Sequence, residues 1–397
     1  MPNVISIVTG PIMGLQSTWF LDDTVAFAAK LGKTIHVFNI FDEIFEHEGF
    51  EPQNAYEEIM HIGELLDGYQ YQFQMQRKMA YLSIARKIDK LPDTDNVIIR
   101  IPVSIEWRGM MYELKDHRLI AEYIKPDKII TLIDAEWKML SRLDSNYGKL
   151  ALQAVTHQKD VSIQNVLSWL GAEVSRSEDW AEWASVLMQQ PVSHHVLGIE
   201  VPSYNDRTLY VRDVDNMMKL ATEKDVPTFY ASYSMTVADE EARNEIHNTI
   251  WNLRNYGVVL DPASIEIGQN IDKQNEAIVF AYTVRRDLNW YVQKVDIVSA
   301  FHPYSKMPPL STGMMDELGH ARAFQKERYL VLPSGGGSPF TGDNYVPKDN
   351  LFKDTESFFT YLQSKRKPAL KPIYSDVTAA FSEYQDSALP KKDKASN

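Results

Sequence analysis

The sequence predicts an α/β protein with two domains that each contain a parallel β-sheet. Short runs rich in β-branched residues alternate with long amphipathic runs, first near the N-terminus and again after residue 225. This alternation is typical of parallel sheets whose strands are connected by covering helices. A segment without a clear series of strands, residues 151–223, separates the two patterns.

The composition limits the classes of function. The chain has 397 residues, of which 44% are hydrophobic and 24% charged, as in globular proteins. Its 41 basic and 54 acidic residues give a net charge of −13, which argues against duplex nucleic acid as a partner. The sequence contains no cysteine, so disulfides and thiolate chemistry are excluded. The first residues resemble a strand rather than a signal peptide, and no apolar run approaches a membrane span. We therefore expect a soluble, cytoplasmic protein.

The first domain is expected over residues 1–150. Its predicted strands are VISIVTG, TIHVFNI, NVIIRIPVSI and KIITLID, and the run QYQFQMQRKMAYLSIARKIDK has the length and pattern of a helix. Residues 151–223 are expected to form a helical connector or lid, because SIQNVLSWL and EDWAEWASVLMQQ also have helical patterns.

The second domain is expected over residues 224–345. After the strand VPTFYASYS comes a helix with Ile246, Ile250 and Leu253 at positions i, i+4 and i+7 and with Gly257 as its C-terminal stop. The remaining predicted elements are the strand VVLDP, the helix QNEAIVFAYTVRRDLNWYVQK, the strand VDIVSAF, a helix capped by Ser311 and the strand RYLVLPS. Residues 346–397 are expected to be a C-terminal extension and tail.

The segment TGPIMGLQST stands where a phosphate-binding loop would lie, between the first strand and a helix. Gly10, Ser17 and Thr18 fit such a loop, but Leu15 and Gln16 replace its last glycine and its lysine. With HVFNIFDEIFEHEGF and KPDKIITLIDAEWKMLSRL, most of residues 1–145 resembles the archaeal type of adenylate kinase. The resemblance implies a P-loop NTPase-like lobe, a weak nucleotide site and Mg²⁺ only where a nucleotide is bound. Because the glycines are lost, we expect that this domain no longer transfers phosphate.

The second domain carries a more specific pattern. The motif S-x-G-x₃-E-L-G-x-A begins at Ser311, and D-L-N-W begins at Asp287 with a predicted strand between them. Over about residues 225–335 this pattern resembles the nucleoside 2′-deoxyribosyltransferase family, and within it the 2′-deoxynucleoside 5′-monophosphate N-glycosidases. The resemblance implies a Rossmann-like (flavodoxin-like) lobe, with Glu317 as nucleophile and Asp287 as proton donor to the departing base. Taken alone, Glu317 would be a solvated acid, and the pattern with Asp287 favours catalysis.

The chemistry of N-glycosidic cleavage suits these residue types. A carboxylate on the face opposite to the base stabilises the oxocarbenium-like charge or bonds to the anomeric carbon. We expect Glu317 in the first turn of its helix, where the helix dipole favours the ionised form. Ser311 and Gly313 at the start of that helix are expected to bind a 5′-phosphate. The other substrate-binding candidates, at the end of the domain's first strand, are Phe229, Tyr230, Ser232 and Ser234, and the sequence does not decide whether Phe229 or Tyr230 faces the crevice.

The predicted function is therefore cleavage or transfer at the N-glycosidic bond of a nucleoside 5′-monophosphate. No cofactor is required for this chemistry, and no residue cluster has metal-ligand spacing. Three alternatives remain: a phosphotransferase similar to nucleoside monophosphate kinases, an NAD glycohydrolase, and a nucleotide sensor without turnover. The expected partner is a small-molecule nucleotide, and we also expect a homo-oligomer, a dimer or larger.

Overall fold

The computed structural model contains two compact units, each with a five-stranded parallel sheet among the described residues. The described residues are 2–11, 17–68, 70–143, 161–199, 208–234, 240–265, 273–302, 311–333 and 345–366. The N-terminal unit comprises Met1–Glu200, Leu220–Lys224 and Ile265–Arg286. The C-terminal unit comprises Val201–Lys219, Asp225–Ser264 and Asp287–Asn397. The predicted fold class, α/β with two parallel-sheet lobes, is confirmed.

The sheet of the N-terminal unit has the strand order β2-β3-β1-β6-β7. Its strands are β1 (Val4–Thr9), β2 (Ile35–Asn39), β3 (Asn96–Arg100), β6 (Lys128–Ile133) and β7 (Ser193–Gly198). Every residue of β1 and β6 is buried, as expected for inner strands of a parallel sheet covered on both faces. The third predicted strand ends earlier than expected, because the chain turns into a separate antiparallel hairpin of β4 (Ser104–Trp107) and β5 (Met110–Glu113).

The helices of the N-terminal unit follow the predicted alternation. They are α1 (Ser17–Lys30), α2 (Ile40–Glu48), α3 (Ala55–Asp67), α4 (Gln70–Ile88), α5 (Glu136–Leu143) and α6 (Ile163–Met188). Between β5 and β6, the helical turn His117–Leu119 continues as the π-helical turn Ile120–Ile124. Across the described ranges, no helix has the length and apolar character needed to cross a membrane.

The region expected to be a helical connector contributes directly to the first sheet. β7 pairs in parallel with β6 from Ser193 to Gly198. The sequence analysis assigned no strand here, because β7 is an edge strand whose first half, Ser193 to His195, is polar and only partly buried. The compact N-terminal unit accordingly extends past residue 150, to Glu200.

The sheet of the C-terminal unit has the order β12-β11-β10-β8-β9. Its strands are β8 (Thr228–Tyr233), β9 (Val258–Leu260), β10 (Ile297–Phe301), β11 (Glu327–Val331) and β12 (Leu351–Phe352). Counted from the first strand of this unit, the order is 2-1-3-4-5, the flavodoxin-like order, which reverses between β8 and β10. β12 lies in the segment expected to be a C-terminal extension, so part of that segment completes the sheet. Residues 367–397 lie outside the described residues.

Helices cover the two faces of the second sheet. On one face, Ile246, Ile250 and Leu253 of α8 (Glu240–Leu253) are buried, which confirms the predicted apolar stripe. Phe358 and Leu362 of α11 (Thr355–Lys365) join the same core cluster. The opposite face is covered by α10 (Thr312–Ala323), whose buried residues are Met314, Leu318 and Ala321. Two further helices have described residues: α7 (Thr208–Thr222), most of which belongs to the C-terminal unit, and α9 (Lys273–Arg285), which belongs to the N-terminal unit.

Candidate active site

Strand β8 directs its side chains to opposite faces of the sheet. Tyr230 and Ser232 lie on the face covered by α10, because both contact a residue of that helix. Phe229 lies on the other face, fully buried in the core cluster with Ile246. The expectation that Phe229 binds substrate is therefore corrected. Period-two alternation along the strand makes Tyr230 the aromatic residue on the side of the candidate site.

The helix that carries Glu317 begins one residue after Ser311. Ser311 is the N-cap, as predicted, and its Oγ accepts a hydrogen bond of 3.2 Å from the backbone N–H of Met314. The first turn of α10 contains no acidic residue, so Glu317 lies in the second turn, which corrects the expected position. Because Met314 and Ala321 are buried three residues before and four after it, Glu317 faces the sheet.

Both carboxylate oxygens of Glu317 accept hydrogen bonds from strand β8. The hydroxyl of Tyr230 donates to Oε1 at 2.7 Å, and the hydroxyl of Ser232 donates to Oε2. The Tyr230 ring also packs on the ring of Tyr291, with centroids 6.1 Å apart. Tyr230 and Ser232, which precede Glu317 by 87 and 85 positions in the sequence, thus hold its carboxylate in one orientation near the carboxyl end of β8.

The environment of Glu317 raises its pKa from 4.5 to about 7. Burial is the largest cause, and the charges of Asp287 and Asp316 act in the same direction. The hydrogen bonds from Ser232 and Tyr230 stabilise the ionised form and oppose this rise. We expected the helix dipole to favour the ionised form of Glu317, but the net shift of its pKa favours the protonated form, because burial is the largest cause. Near neutral pH the protonated and ionised forms of Glu317 are both populated.

Asp287 lies within electrostatic reach of Glu317. It belongs to the π-helical segment Arg286–Val292, which continues α9, and its side chain is half-buried. Its charge contributes to the raised pKa of Glu317. A π-helical turn inside a helix is often found at functional sites, because it redirects side chains from their α-helical positions.

Three further predicted substrate-binding residues are described. Ser311 is half-buried and Gly313 is exposed, and a Cβ added at Gly313 would meet no described atom within 4 Å beyond its chain neighbours and its own helix backbone. The backbone at Gly313 is therefore open to a ligand. Ser234 follows β8 and is 6% exposed, and its hydroxyl has no hydrogen-bond partner among the described residues. A buried hydroxyl without a partner is unusual in a native structure.

A buried network beside this site was not found from the sequence. The hydroxyl of Tyr233 donates to Oδ1 of Asp261 at 2.8 Å, and Nη1 of Arg212 donates to Oδ2 of the same carboxylate at 2.7 Å. Burial and the charge of Asp261 raise the pKa of Tyr233 well above its ordinary value, so its hydroxyl remains a donor. The network joins the ends of β8 and β9. The local sequence indicates this network only through a polar residue, Asp261, at the end of a buried strand.

The backbone N–H of Gly10, which a phosphate-binding loop would direct at a phosphate, has a partner within the protein. The backbone N–H of Gly10 donates to Oε1 of Glu173 at 3.0 Å, and the N–H of Val103 donates to the same oxygen at 2.8 Å. Oε2 of Glu173 accepts from the N–H and the hydroxyl of Ser104 at 3.1 and 2.6 Å. A donor expected to face a phosphate therefore already binds a carboxylate of the protein. The loss of phosphate transfer in this domain stays a prediction.

Only part of the predicted nucleotide site can be placed. Thr18 is exposed, and its Oγ1 accepts a hydrogen bond of 2.6 Å from Nη1 of Arg100. Residues 12–16 and the side chain of Ser17 lie outside the described residues. Gly10 and Thr18 thus contact Glu173 and Arg100, two residues that the sequence analysis did not select.

The chain matches no protein-family model, and no curated protein is significantly similar to it in sequence. The class of the protein is therefore defined by fold and site. It is a two-unit α/β protein in which a half-buried glutamate lies on the second sheet where the strand order reverses.

Proposed function

We propose that the C-terminal unit cleaves the N-glycosidic bond of a nucleoside 5′-monophosphate, with Glu317 as the nucleophile. The observation that carries this proposal is the position of the Glu317 carboxylate. It lies on β8, next to the reversal of strand order, and both of its oxygens are held by hydroxyl donors. Ligands of open α/β sheets bind at such reversals, outside the carboxyl ends of the strands.

The proposed reaction has two steps. In the first, a carboxylate oxygen of Glu317 bonds to the anomeric carbon while the carbon–nitrogen bond breaks. The electron pair of that bond leaves with the base, which takes a proton from Asp287. In the second, water attacks the anomeric carbon, returns a proton to Asp287 and releases Glu317. When a second base replaces water, the same steps give transfer.

Tyr230 and Ser232 are positioning residues in this scheme. Their hydrogen bonds fix the carboxylate in one orientation and lower the pKa of Glu317 against the effect of burial. Both effects support nucleophilic attack, because attack requires an ionised, correctly oriented oxygen. The proposal needs no metal ion or organic cofactor.

Ser311, Gly313 and Ser234 support the choice of a phosphorylated substrate. The helix N-terminus at Ser311 favours an anion, the backbone at Gly313 is open, and the Ser234 hydroxyl is available to a ligand. A phosphotransferase function for the N-terminal unit is less well supported, because the Gly10 N–H is bound to Glu173.

The test is base release from a panel of nucleoside monophosphates, nucleosides and NAD, measured by chromatography with the purified full-length protein. We expect release from at least one monophosphate and a loss of about 100-fold or more in Glu317→Gln, since a nucleophile is removed. Glu356→Gln is the matched control, because Glu356 is exposed on α11, does not affect the pKa of Glu317 and should retain activity. No release from any monophosphate, or full activity in Glu317→Gln, would refute the proposal.

A further inference from the structure

The N-terminal unit carries an exposed surface that the proposed function does not use. The helical turn of residues 117–124 packs against both α4 and α6. Nζ of Lys78 on α4 lies 5.9 Å from the centre of the Tyr123 ring, and the ring of Trp183 on α6 stacks on that of His117 with centroids 5.8 Å apart. The two helices and the turn therefore form one continuous surface, which we call the α4–α6 face.

The strand order also places these three elements on one side of the first sheet. The connections from β2 to β3, from β3 to β6 and from β6 to β7 all run in the same direction across the sheet, whereas the connection from β1 to β2 runs in the opposite direction. Connections between parallel strands are right-handed. The elements of the α4–α6 face therefore cover one side of the sheet, and α1 covers the other.

The α4–α6 face exposes large apolar side chains on both of its helices. On each helix they follow the helical period and so share one side: Tyr71, Met75 and Met79 on α4, and Trp183, Val186 and Leu187 on α6. Tyr71 is 74% exposed and Trp183 is 55% exposed. Single exposed apolar residues are common in monomeric proteins, but apolar stripes on adjoining helices mark an interaction surface.

The two helices carry opposite charges on this face. α4 contains no acidic residue, and Lys78 and Arg86 lie on the helix side that carries its exposed apolar residues. Every exposed charged residue of α6 is acidic, namely Asp179 and Glu182, and both lie on the side of Trp183. The face thus has a basic half and an acidic half, with apolar side chains in each.

A surface with this distribution of charge is complementary to a second copy of itself. A twofold axis that runs along the turn of residues 117–124 places α4 of one protomer against α6 of the other, and it does so twice, because a twofold interface is isologous. The cations of α4 then face the carboxylates of α6 in both halves of the interface. A twofold axis across the helices would instead place α4 against α4, with like charges opposed. The charges therefore select the first arrangement.

The size of the face suits a dimer. The stripe from Tyr71 to Arg86 is about 22 Å long at 1.5 Å per residue. Three helical elements packed side by side at about 8–10 Å are about 20–30 Å wide. Such a face is comparable to the area of about 800 Å² per partner that specific protein interfaces bury.

We propose that the α4–α6 face is the interface of a homodimer, in which α4 of each protomer packs on α6 of its partner. The expectation of a homo-oligomer identified no surface, and this proposal assigns one to the N-terminal unit. It does not depend on the reaction proposed for the C-terminal unit.

Sedimentation velocity of the full chain over a range of micromolar concentrations tests the interface. The wild-type protein should sediment as a dimer. Two charge-reversed proteins are compared with it, Lys78→Glu with Arg86→Glu, and Asp179→Lys with Glu182→Lys. Each opposes like charges at both contacts and should raise the Kd of the dimer by about ten-fold or more. An equimolar mixture of the two should form a heterodimer with a Kd near that of the wild type, because opposite charges then meet at both contacts.

A matched pair of tryptophan substitutions tests the apolar part of the face. Trp183→Ser should also raise the Kd of the dimer by about ten-fold or more, since exposed tryptophans dominate interface energies. Trp19→Ser should leave the Kd unchanged, because Trp19 is 58% exposed but lies on α1, on the other side of the sheet. Circular dichroism shows whether each variant is folded.

Three results would overturn the proposal. The first is a wild-type protein that sediments as a monomer at every concentration. The second is a dimer whose Kd is the same in Trp183→Ser and in both charge-reversed proteins. The third is a mixture of the two charge-reversed proteins that dimerises no better than either alone. The wild-type protein and Trp183→Ser decide the matter even if a charge-reversed protein fails to fold. Base release reports on Glu317, so the two proposals fail independently.

Discussion

Replacing Glu317 with Gln should stabilise the protein at alkaline pH while removing the proposed nucleophile. The pKa of Glu317 is raised from 4.5 to about 7, mainly by burial. A group with a raised pKa contributes stability below its unfolded pKa and loses it as the pH rises toward its folded pKa. The wild-type protein should therefore lose stability between about pH 4.5 and pH 7, where Glu317 ionises in the unfolded chain but not yet in the folded protein.

The size of the stability change follows from the difference between the two pKa values of Glu317. At 1.36 kcal/mol per pH unit, the change from 4.5 to about 7 corresponds to about 3 kcal/mol of unfolding free energy. Glutamine has no charge to desolvate, and its amide can form hydrogen bonds with the hydroxyls of Tyr230 and Ser232. The variant should thus match the wild type near pH 4 and exceed its stability by about 3 kcal/mol at pH 8.

Urea unfolding at intervals from pH 4 to pH 8, followed by circular dichroism and tryptophan fluorescence, measures this difference. Glu173, whose pKa is also raised to about 7, contributes a similar pH dependence in both proteins and cancels in the comparison. Glu356→Gln is the control, because Glu356 is exposed on α11 and is not among the groups that shift the pKa of Glu317; it should retain the wild-type pH dependence. A difference between Glu317→Gln and wild type that stays constant across the pH range would refute the account of Glu317 as a carboxylate whose pKa is raised by burial.

Other substitutions test the remaining parts of the account. Tyr230→Phe removes a hydrogen-bond donor that lowers the pKa of Glu317. The ascending limb of the profile of kcat/KM against pH should therefore shift by about 1 unit to higher pH, and an unshifted limb would contradict the role of Tyr230. Ser311→Ala should raise KM for monophosphates by about ten-fold or more and leave KM for nucleosides unchanged in steady-state kinetics, whereas equal effects on both would exclude phosphate binding there. The double change Ser17→Ala and Thr18→Ala should leave base release unaltered, and a loss of release would show that this loop takes part in it. Glu173→Ala leaves the backbone N–H groups of Gly10, Val103 and Ser104 without their acceptor and should lower the unfolding free energy by about 2–5 kcal/mol in urea titrations. The change Glu182→Ala, at an exposed residue, should lower it by less than about 0.5 kcal/mol.

Features with a local physical cause were predicted correctly from the sequence. Ile246, Ile250 and Leu253 share one helical face, and burial of that face needs only the period of the helix. Ser311 caps α10 because its hydroxyl lies next to the first unpaired N–H groups of that helix. The alternation of strands and helices predicted the two parallel sheets, since the helices that connect parallel strands cover both faces of the sheet.

Features that depend on long-range packing were not predictable in this way. Alternation along β8 places Phe229 and Tyr230 on opposite faces, but the face covered by α10 is set by the path of the chain. The raised pKa of Glu317 depends on burial, which the helical pattern alone does not give. Glu173 reaches Gly10 across 163 positions of sequence, and nothing local to either residue indicates this contact.

The most direct test of the central claim is whether a glycosyl group becomes attached to Glu317 during turnover. Rapid acid quenching of the wild-type protein with a reactive nucleoside monophosphate, followed by peptide mass spectrometry, would detect such an adduct. If Glu317 is the nucleophile, the peptide that contains it gains the mass of the glycosyl phosphate, and the corresponding peptide of Glu317→Gln gains none. An adduct on another residue, or undiminished base release by Glu317→Gln with every peptide unmodified, would contradict it.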